Sequence, residues 1–305
     1  MKKFIVKSSL FILPLVLCFI FIEIENRTNN TFYAKSKYIE DNKNAIEVLI
    51  LGSSQTWRAI NPEYLTMDVA PLAHGGSALN IDYLLFKKYV DIFPNLKVVI
   101  LEASYHTFEE FRNSNWNKNH LFHIYYDINN YEGVVPWSEN LLLTANPKAY
   151  IKKIWTQSVF PEFGVYNNYG FITSTKKTLD ISGYPASDLK SRHIKESLEN
   201  YKIETKLLAN MVTTCEEKGL DLILFSPPKY STYNKNYTST KLQRRNLVFE
   251  KYKKRDRVYI MNYETTYQDE KDMFYNEDHL NIYGAKKLTK SLNIELEKLM
   301  KLLKK

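Results

Sequence analysis

Four short apolar runs constrain this chain more than any other feature: 46–51, 97–102, 221–226 and 258–262. Their cores, such as Val48-Leu49-Ile50 and Val98-Val99-Ile100-Leu101, show none of the apolar–polar alternation of a half-exposed strand. They read as strands buried on both faces. A fifth, shorter run, Val69 to Ala73, ends in His74-Gly75-Gly76-Ser77. The intervening segments carry helical periodicity: Asp82–Phe93, Arg192–Lys218 stopped by Gly219, the basic Lys241–Lys254, and Ala285–Leu303 with leucines at 288, 292, 296, 299 and 303. Strands alternating with helices and joined by right-handed crossovers give a parallel sheet covered on both sides. The expected fold is α/β, a three-layer α/β/α sandwich with a mainly parallel, flavodoxin-like sheet.

The N-terminus sets a second constraint. Lys2, Lys3 and Lys7 precede an apolar run from Leu10 to Ile22. Phe4 to Ile24 approaches the roughly 20 residues of a membrane span, with Lys7 snorkelling. Glu23, Glu25 and Asn26 stand where a small-x-small cleavage pattern would follow, so residues 1–27 read as an uncleaved signal anchor. The positive N-terminal flank places the body outside the cell membrane. Residues 28–44 read as a polar stalk, and 45–305 as one folded domain. Within that domain, an insert at about 105–190 is rich in aromatics, among them Trp116, Tyr125, Trp137, Tyr166 and Tyr169. It forms either a groove wall suited to sugar rings or a small core of its own.

Composition narrows the partners. The formal charge of +8 is spread along the chain, with no nucleic-acid motif, so anionic envelope polymers or lipid headgroups are its natural use and nucleic acid is not expected. Cys18 and Cys215 give neither a disulfide framework nor metal-ligand spacing. His120-x-x-His123 has helical spacing but no evident third ligand. Neither metal nor cofactor is expected.

The chemistry converges on two stretches. Gly52-Ser53-Ser54-Gln55-Thr56 follows the first buried strand, which delivers a serine to the sheet edge where ligands of open α/β sheets bind. The same serines could simply turn the chain and cap the next helix. A nucleophilic serine needs a base, and His279 stands in a loop before the last helix, between Asn276-Glu277-Asp278 and Leu280-Asn281. Asn281 is placed to cap that helix, and Gly284 allows close backbone approach in its first turn.

With these residues the chain resembles the SGNH, or GDSL-like, hydrolase superfamily over roughly Val48 to Leu296, the insert excepted. The resemblance maps the nucleophile to Ser54, in the Gly-Asp-Ser block, and the base to His279. It maps oxyanion donors to the N–H groups of Ser54 and of Gly75 or Gly76. Two departures stand out. The position three before His279 is Asn276 rather than Asp; its side-chain oxygen could still orient the imidazole but cannot offset its charge, which leaves Asp278, or more remotely Asp272, as carboxylate candidates. After the 97–102 strand, Glu102-Ala103-Ser104-Tyr105 replaces a Gly-x-Asn-Asp block, so Asn80 is the candidate substitute for its amide. The anchored plan is similar to envelope members of the superfamily, including alginate-type O-acetyltransferases and the protein that assists D-alanylation of teichoic acids. The resemblance implies a serine-dependent ester hydrolase or O-acyltransferase acting on envelope polysaccharide or related carbohydrate esters. A membrane acyl-donor protein is an implied partner. The alternative is a weak or inactive binding or scaffold subunit of an envelope-polymer modification complex.

Overall fold

The computed structural model describes residues 1–159, 165–180 and 193–302. Five strands form one parallel sheet: β1 (Val48–Leu51), β2 (Val69–Pro71), β3 (Val98–Glu102), β4 (Asp221–Ser226) and β5 (Val258–Asn262). Their order is β2-β1-β3-β4-β5, with Val48 beside Val98, Val98 beside Asp221 and Leu222 beside Val258. This is the flavodoxin-like order, and its topological switch point falls between β1 and β3.

Eleven helices among the described residues accompany the sheet: α1 (Lys2–Thr28), α2 (Thr31–Asn42), α3 (Ser54–Ala59), α4 (Leu79–Tyr89), α5 (Asn119–Tyr126), α6 (Leu142–Ala145), α7 (Pro147–Val159), α8 (Leu198–Lys218), α9 (Ser231–Asn234), α10 (Ser239–Tyr252) and α11 (Ile282–Leu302). Strand side chains alternate between two cores, as the two-residue period of a strand requires. Leu49, Leu51, Val99, Leu101, Leu222 and Leu224 pack against α4, α8 and α10. Val48, Ile50, Val98, Ile100, Ile223 and Phe225 pack against α3 and the Leu288, Leu292 and Leu296 stripe of α11. The described part of α8 starts at Leu198 behind the N-cap Ser197, whose side chain accepts from Asn200 N–H. The expected start of that helix at Arg192, and Leu303 of the last helix, lie outside the described residues.

α1 is long and apolar enough to cross a membrane: an 18-residue stretch of it has a mean hydropathy of 2.5 and no buried residue. Its 27 residues span about 40 Å, against about 30 Å of bilayer hydrocarbon. Its C-terminal end is fastened to the insert, because the Glu23 carboxylate accepts from Leu142 N–H and Leu143 N–H, each at 2.9 Å.

The segment expected as a polar stalk is instead helical and packed over 31–42. Asn30 caps α2 by accepting from Tyr33 N–H, and Phe32, Lys35 and Ile39 form its buried stripe. Phe32 stacks on His74 with ring centroids 4.0 Å apart. Lys35 Nζ donates to Ala73 O and lies 5.0 Å from the Trp57 ring centroid. Two apolar residues and the stem of a lysine make a face too thin to register as periodicity.

Part of the insert packs into the main core and not into a small core of its own. Phe122 and Tyr126 join the main core beside Phe32. Tyr166 and Tyr169 line an open cleft of about 570 Å³ together with Tyr33 and Tyr38 of α2, and the Tyr38 and Tyr169 rings touch with centroids 4.6 Å apart. Residues 160–164 and 181–190 of the insert lie outside the described residues.

Burial holds the Lys35 amine well below its ordinary value of 10.5. Between the depressed folded value and 10.5, the unfolded chain binds a proton that the folded chain does not, so stability rises with pH across that window. Chemical denaturation of the full chain in detergent from roughly pH 7 to pH 10 should show that rise. Lys35→Met should flatten it, and an unchanged slope would contradict a neutral, packed Lys35.

Candidate active site

The turn after β1 is built around a buried carboxylate. Glu102, the last residue of β3, is 1% exposed. Its Oε2 accepts from Ser53 N–H at 2.7 Å, Ser53 Oγ at 2.8 Å, Thr56 N–H at 3.3 Å and Thr56 Oγ1 at 2.8 Å. Burial pushes the Glu102 carboxyl up, but the His106 imidazole, the Lys229 charge and the Thr56 and Ser53 hydrogen bonds outweigh it and hold the group below its ordinary value. Gly52 lies at φ +144°, and a Cβ there would fall 2.7 Å from Glu102 Cβ, so only glycine fits. Ser53 is therefore turned inward, where its Oγ also caps α3 by accepting from Gln55 N–H at 3.2 Å. Ser54, the next residue, is partly exposed.

A second loop is held against this turn. Gly52 O accepts from His74 N–H at 2.8 Å. Asp82 of α4 accepts from Gly52 N–H and from Ser77 Oγ, the latter at 3.0 Å. Burial, helped by the Glu102 charge, raises Asp82 to about 8. The carbonyls of Gly75 and Gly76 accept from Lys118 Nζ at 2.6 Å and Arg112 Nε at 2.7 Å. These contacts fix the glycine turn beside Trp57 of α3.

His279 reaches Ser54 from the opposite end of the chain. Strands β6 (Phe274–Asn276) and β7 (His279–Leu280) form a small hairpin that sets Asn276 opposite His279. Ser54 Oγ donates to His279 Nε2 at 2.7 Å. On the other side of the ring, Nδ1–H donates to Asn276 Oδ1 at 2.8 Å, and Asp278 Oδ1 lies 2.9 Å from the same nitrogen. The amide takes the aligned hydrogen bond while the buried carboxylate supplies charge. Gln55 Nε2 donates to Asp278 Oδ2 at 3.4 Å. Two cations lie within electrostatic reach of Asp278: Arg58, and Lys229, which burial lowers to about 8.

The hairpin is locked to α11. Asn281 Oδ1 accepts from Tyr283 N–H and Gly284 N–H, each at 3.0 Å, and its Nδ2 donates to Asp272 O at 2.7 Å and Phe274 O at 3.3 Å. A Cβ on Gly284 would fall 2.2 Å from Met273 O.

The structure thus brings together Ser54, His279, Asn276 and Asp278, with Gly75 and Gly76 on a loop held to the same turn. Asn80 does not join them as an amide donor. Its Nδ2 donates to Arg112 O at 2.8 Å and its Oδ1 accepts from Arg112 N–H at 3.0 Å, so both ends of the amide are spent on the chain beyond β3. Asp272 is exposed and offers only its backbone carbonyl to Asn281. His120 and His123 bond Tyr150 Oη at 2.7 Å and Asn140 Oδ1 at 3.0 Å, inside the insert. Sequence reading missed Glu102, Gln55, Asp82 and Lys229. For Glu102 a signal was present: it is a charge ending an otherwise apolar strand, at the level where β1 delivers its serines.

No protein-family model and no curated protein matches the chain.

Because Ser53 anchors the turn, Ser53→Ala removes an Oγ that serves the Glu102 charge and the α3 cap together. The expected loss is about 1.5–3 kcal/mol, the range for hydrogen bonds to charged groups. Urea denaturation measures it; a midpoint unchanged from wild type would show that Glu102 does not hold this turn.

Proposed function

We propose that the chain is a membrane-anchored, serine-dependent ester hydrolase or O-acyltransferase of SGNH-like type, acting on acylated carbohydrate of the cell envelope. The observation that carries this reading is the 2.7 Å hydrogen bond from Ser54 Oγ to His279 Nε2, with Nδ1–H engaged on the far side of the ring. A serine hydroxyl is a weak nucleophile until an oriented base accepts its proton.

In the proposed reaction, His279 Nε2 takes the Ser54 proton as Oγ bonds the ester carbonyl carbon, and the carbonyl electron pair moves to oxygen. The N–H groups of Ser54 and of Gly75 or Gly76 receive that oxyanion. Collapse breaks the bond to the alcohol, which leaves with the proton from His279. Water or a sugar hydroxyl then attacks the acyl-enzyme, with His279 again as base. The two groups at Nδ1 divide one role: Asn276 fixes the tautomer and Asp278 offsets the imidazolium charge.

α1 serves as the anchor, with its basic N-terminal flank in the cytoplasm and the body outside. The cleft of about 570 Å³ beside α2, lined by Tyr33, Tyr38, Tyr166, Tyr169, Asn42 and Asn167, suits sugar rings, which stack on aromatic faces and hydrogen-bond to amides. It is not lined by Ser54 or His279, which fits a long polymer rather than a small ester. A transferase would also require a membrane acyl-donor protein as partner. One observation favours the second reading, a binding or scaffold subunit: the commitment of Asn80 to Arg112 removes the candidate side-chain donor, a loss worth roughly 2.7–4 kcal/mol in oxyanion stabilisation.

Hydrolysis of p-nitrophenyl acetate by the full chain in detergent separates the two. Ser54→Ala and His279→Ala should each lower kcat by about a thousandfold or more. Asp278→Asn should cost up to about 10⁴-fold, while Asn276→Asp should retain activity. Equal turnover by all forms would overturn the catalytic reading. An absent fluorophosphonate adduct on Ser54, with measurable polysaccharide binding, would select the scaffold.

A further inference from the structure

A second cluster of chemistry-bearing side chains lies behind the nucleophile turn. His106, Glu110 and His193 each present a ligand atom within 4.8 Å of the others. His106 and Glu110 flank the single 3₁₀ turn Thr107–Glu109 that follows β3. His193 arrives from the far end of the insert, and its carbonyl accepts from Lys241 Nζ at 2.6 Å. The two imidazoles lie with centroids 4.1 Å apart, His193 Nδ1 meets Glu110 Oε1, and Arg112 Nη2 donates to Glu110 Oε2 at 2.8 Å.

His106 is the informative member. It is 3% exposed, and its Nδ1 is buried without a hydrogen-bond partner among the described residues. Buried polar atoms in native proteins are nearly always satisfied, so an orphan nitrogen beside a carboxylate and a second imidazole points to a missing ligand. Its other nitrogen, Nε2, faces Glu102 Oε1 at 3.6 Å, longer than a hydrogen bond but close enough to become one with a small ring rotation. An imidazole with a ligand set on one side and a carboxylate on the other is the usual arrangement around a protein-bound metal. A small cavity of about 10 Å³, lined by Leu79 and Ala78 as well as by Ser53, Asp82, Glu102 and His106, adjoins it.

We propose that His106, Glu110 and His193 bind one divalent transition-metal ion of the zinc class, with Glu102 as the carboxylate behind His106. Two imidazoles and one carboxylate suit zinc and its first-row neighbours and do not suit magnesium or calcium, which take oxygen ligands. At bond lengths of about 2.0–2.2 Å, ligands on a tetrahedral ion lie roughly 3.3–3.6 Å apart, so the direct contact between His193 and Glu110 opens as His106 closes in to admit the ion. The ion would hold His106 against Glu102, and Glu102 holds Ser53, so metal loading would stiffen the turn that carries Ser54. Binding itself does not depend on Ser54 being a nucleophile, so failure of one reading leaves the other intact.

The test uses the tag-free full chain in detergent, stripped with a chelator and titrated with Zn²⁺ by calorimetry, with thermal melting in parallel. One Zn²⁺ per chain and a raised melting midpoint are expected. His193→Ala, which leaves the sheet core untouched, should abolish both, and Glu110→Gln should weaken binding at least about tenfold. His120→Ala should change neither. Absence of saturable binding, or equal binding by His193→Ala, overturns the site. An equal midpoint shift with Mg²⁺ overturns the zinc-class assignment.

Discussion

The carboxylate of Glu102 is the constraint on which the site depends. Burying an ionised carboxylate costs several kcal/mol unless donors replace its water. Here the donors come from one short stretch of the neighbouring strand's exit: two N–H groups and two hydroxyls from Ser53 and Thr56, with the Lys229 charge nearby. The backbone must therefore come so close to β3 that residue 52 has no room for a side chain. Ser53 is consumed by the carboxylate from its extended N-cap position, while Ser54, the first residue of α3, directs its Oγ to His279. One buried charge thus decides which of two adjacent serines faces solvent and which is structural.

The other half of the site is positioned by packing of one sheet face. α11 lies on the sheet through Leu288, Leu292 and Leu296, and α3 packs into the same core through Ala59. Thr289 joins the two helices, because its Oγ1 accepts from Asn61 N–H at 3.0 Å and donates to Ala59 O at 3.3 Å. Asn281 and Gly284 then tie the His279 hairpin to the first turn of α11. The contact between Ser54 and His279 is consequently set by helix–sheet packing and not by the loops alone. This is the usual way in which a rigid scaffold holds reactive groups to within a few tenths of an ångström.

The sheet was legible because burial on both faces leaves an unbroken apolar signal. β4 and β5 coincide with the runs that predict them, and β1 and β3 differ only at their first residues. The capping by Asn281 and the close approach at Gly284 were legible as well, since each rests on a local residue choice, whereas the pairing of Ser54 with His279 was legible through the family resemblance. The unread features all depend on partners distant in sequence. Lys35 reads as a solvated charge until Ala73 O and the Trp57 ring are brought to it. Asn80 reads as a free amide until the chain after β3 returns Arg112 to both its ends. The carboxylate at His279 could not be chosen from spacing, because the hairpin sets Asn276 across from the ring while Asp278, one residue away, still reaches the same nitrogen.

These packing relations give the polar segment after α1 a mechanical meaning. A flexible stalk would let the body sample a wide range of heights above a membrane. α2 is instead twelve residues long, about 18 Å, and packs along the body through Phe32, Lys35 and Ile39. At one end, Glu23 and Arg27 of α1 pair at 2.7 Å, and Glu23 also holds Leu142 and Leu143. Farther along, Phe32 rests on His74 and Lys35 on Ala73 O, next to the Gly75-Gly76 turn. Under the proposed function, the oxyanion loop therefore stands at a fixed distance from the end of the membrane helix. A site held in that way favours an acyl donor presented at the membrane surface over one diffusing freely, because the donor's height is already matched.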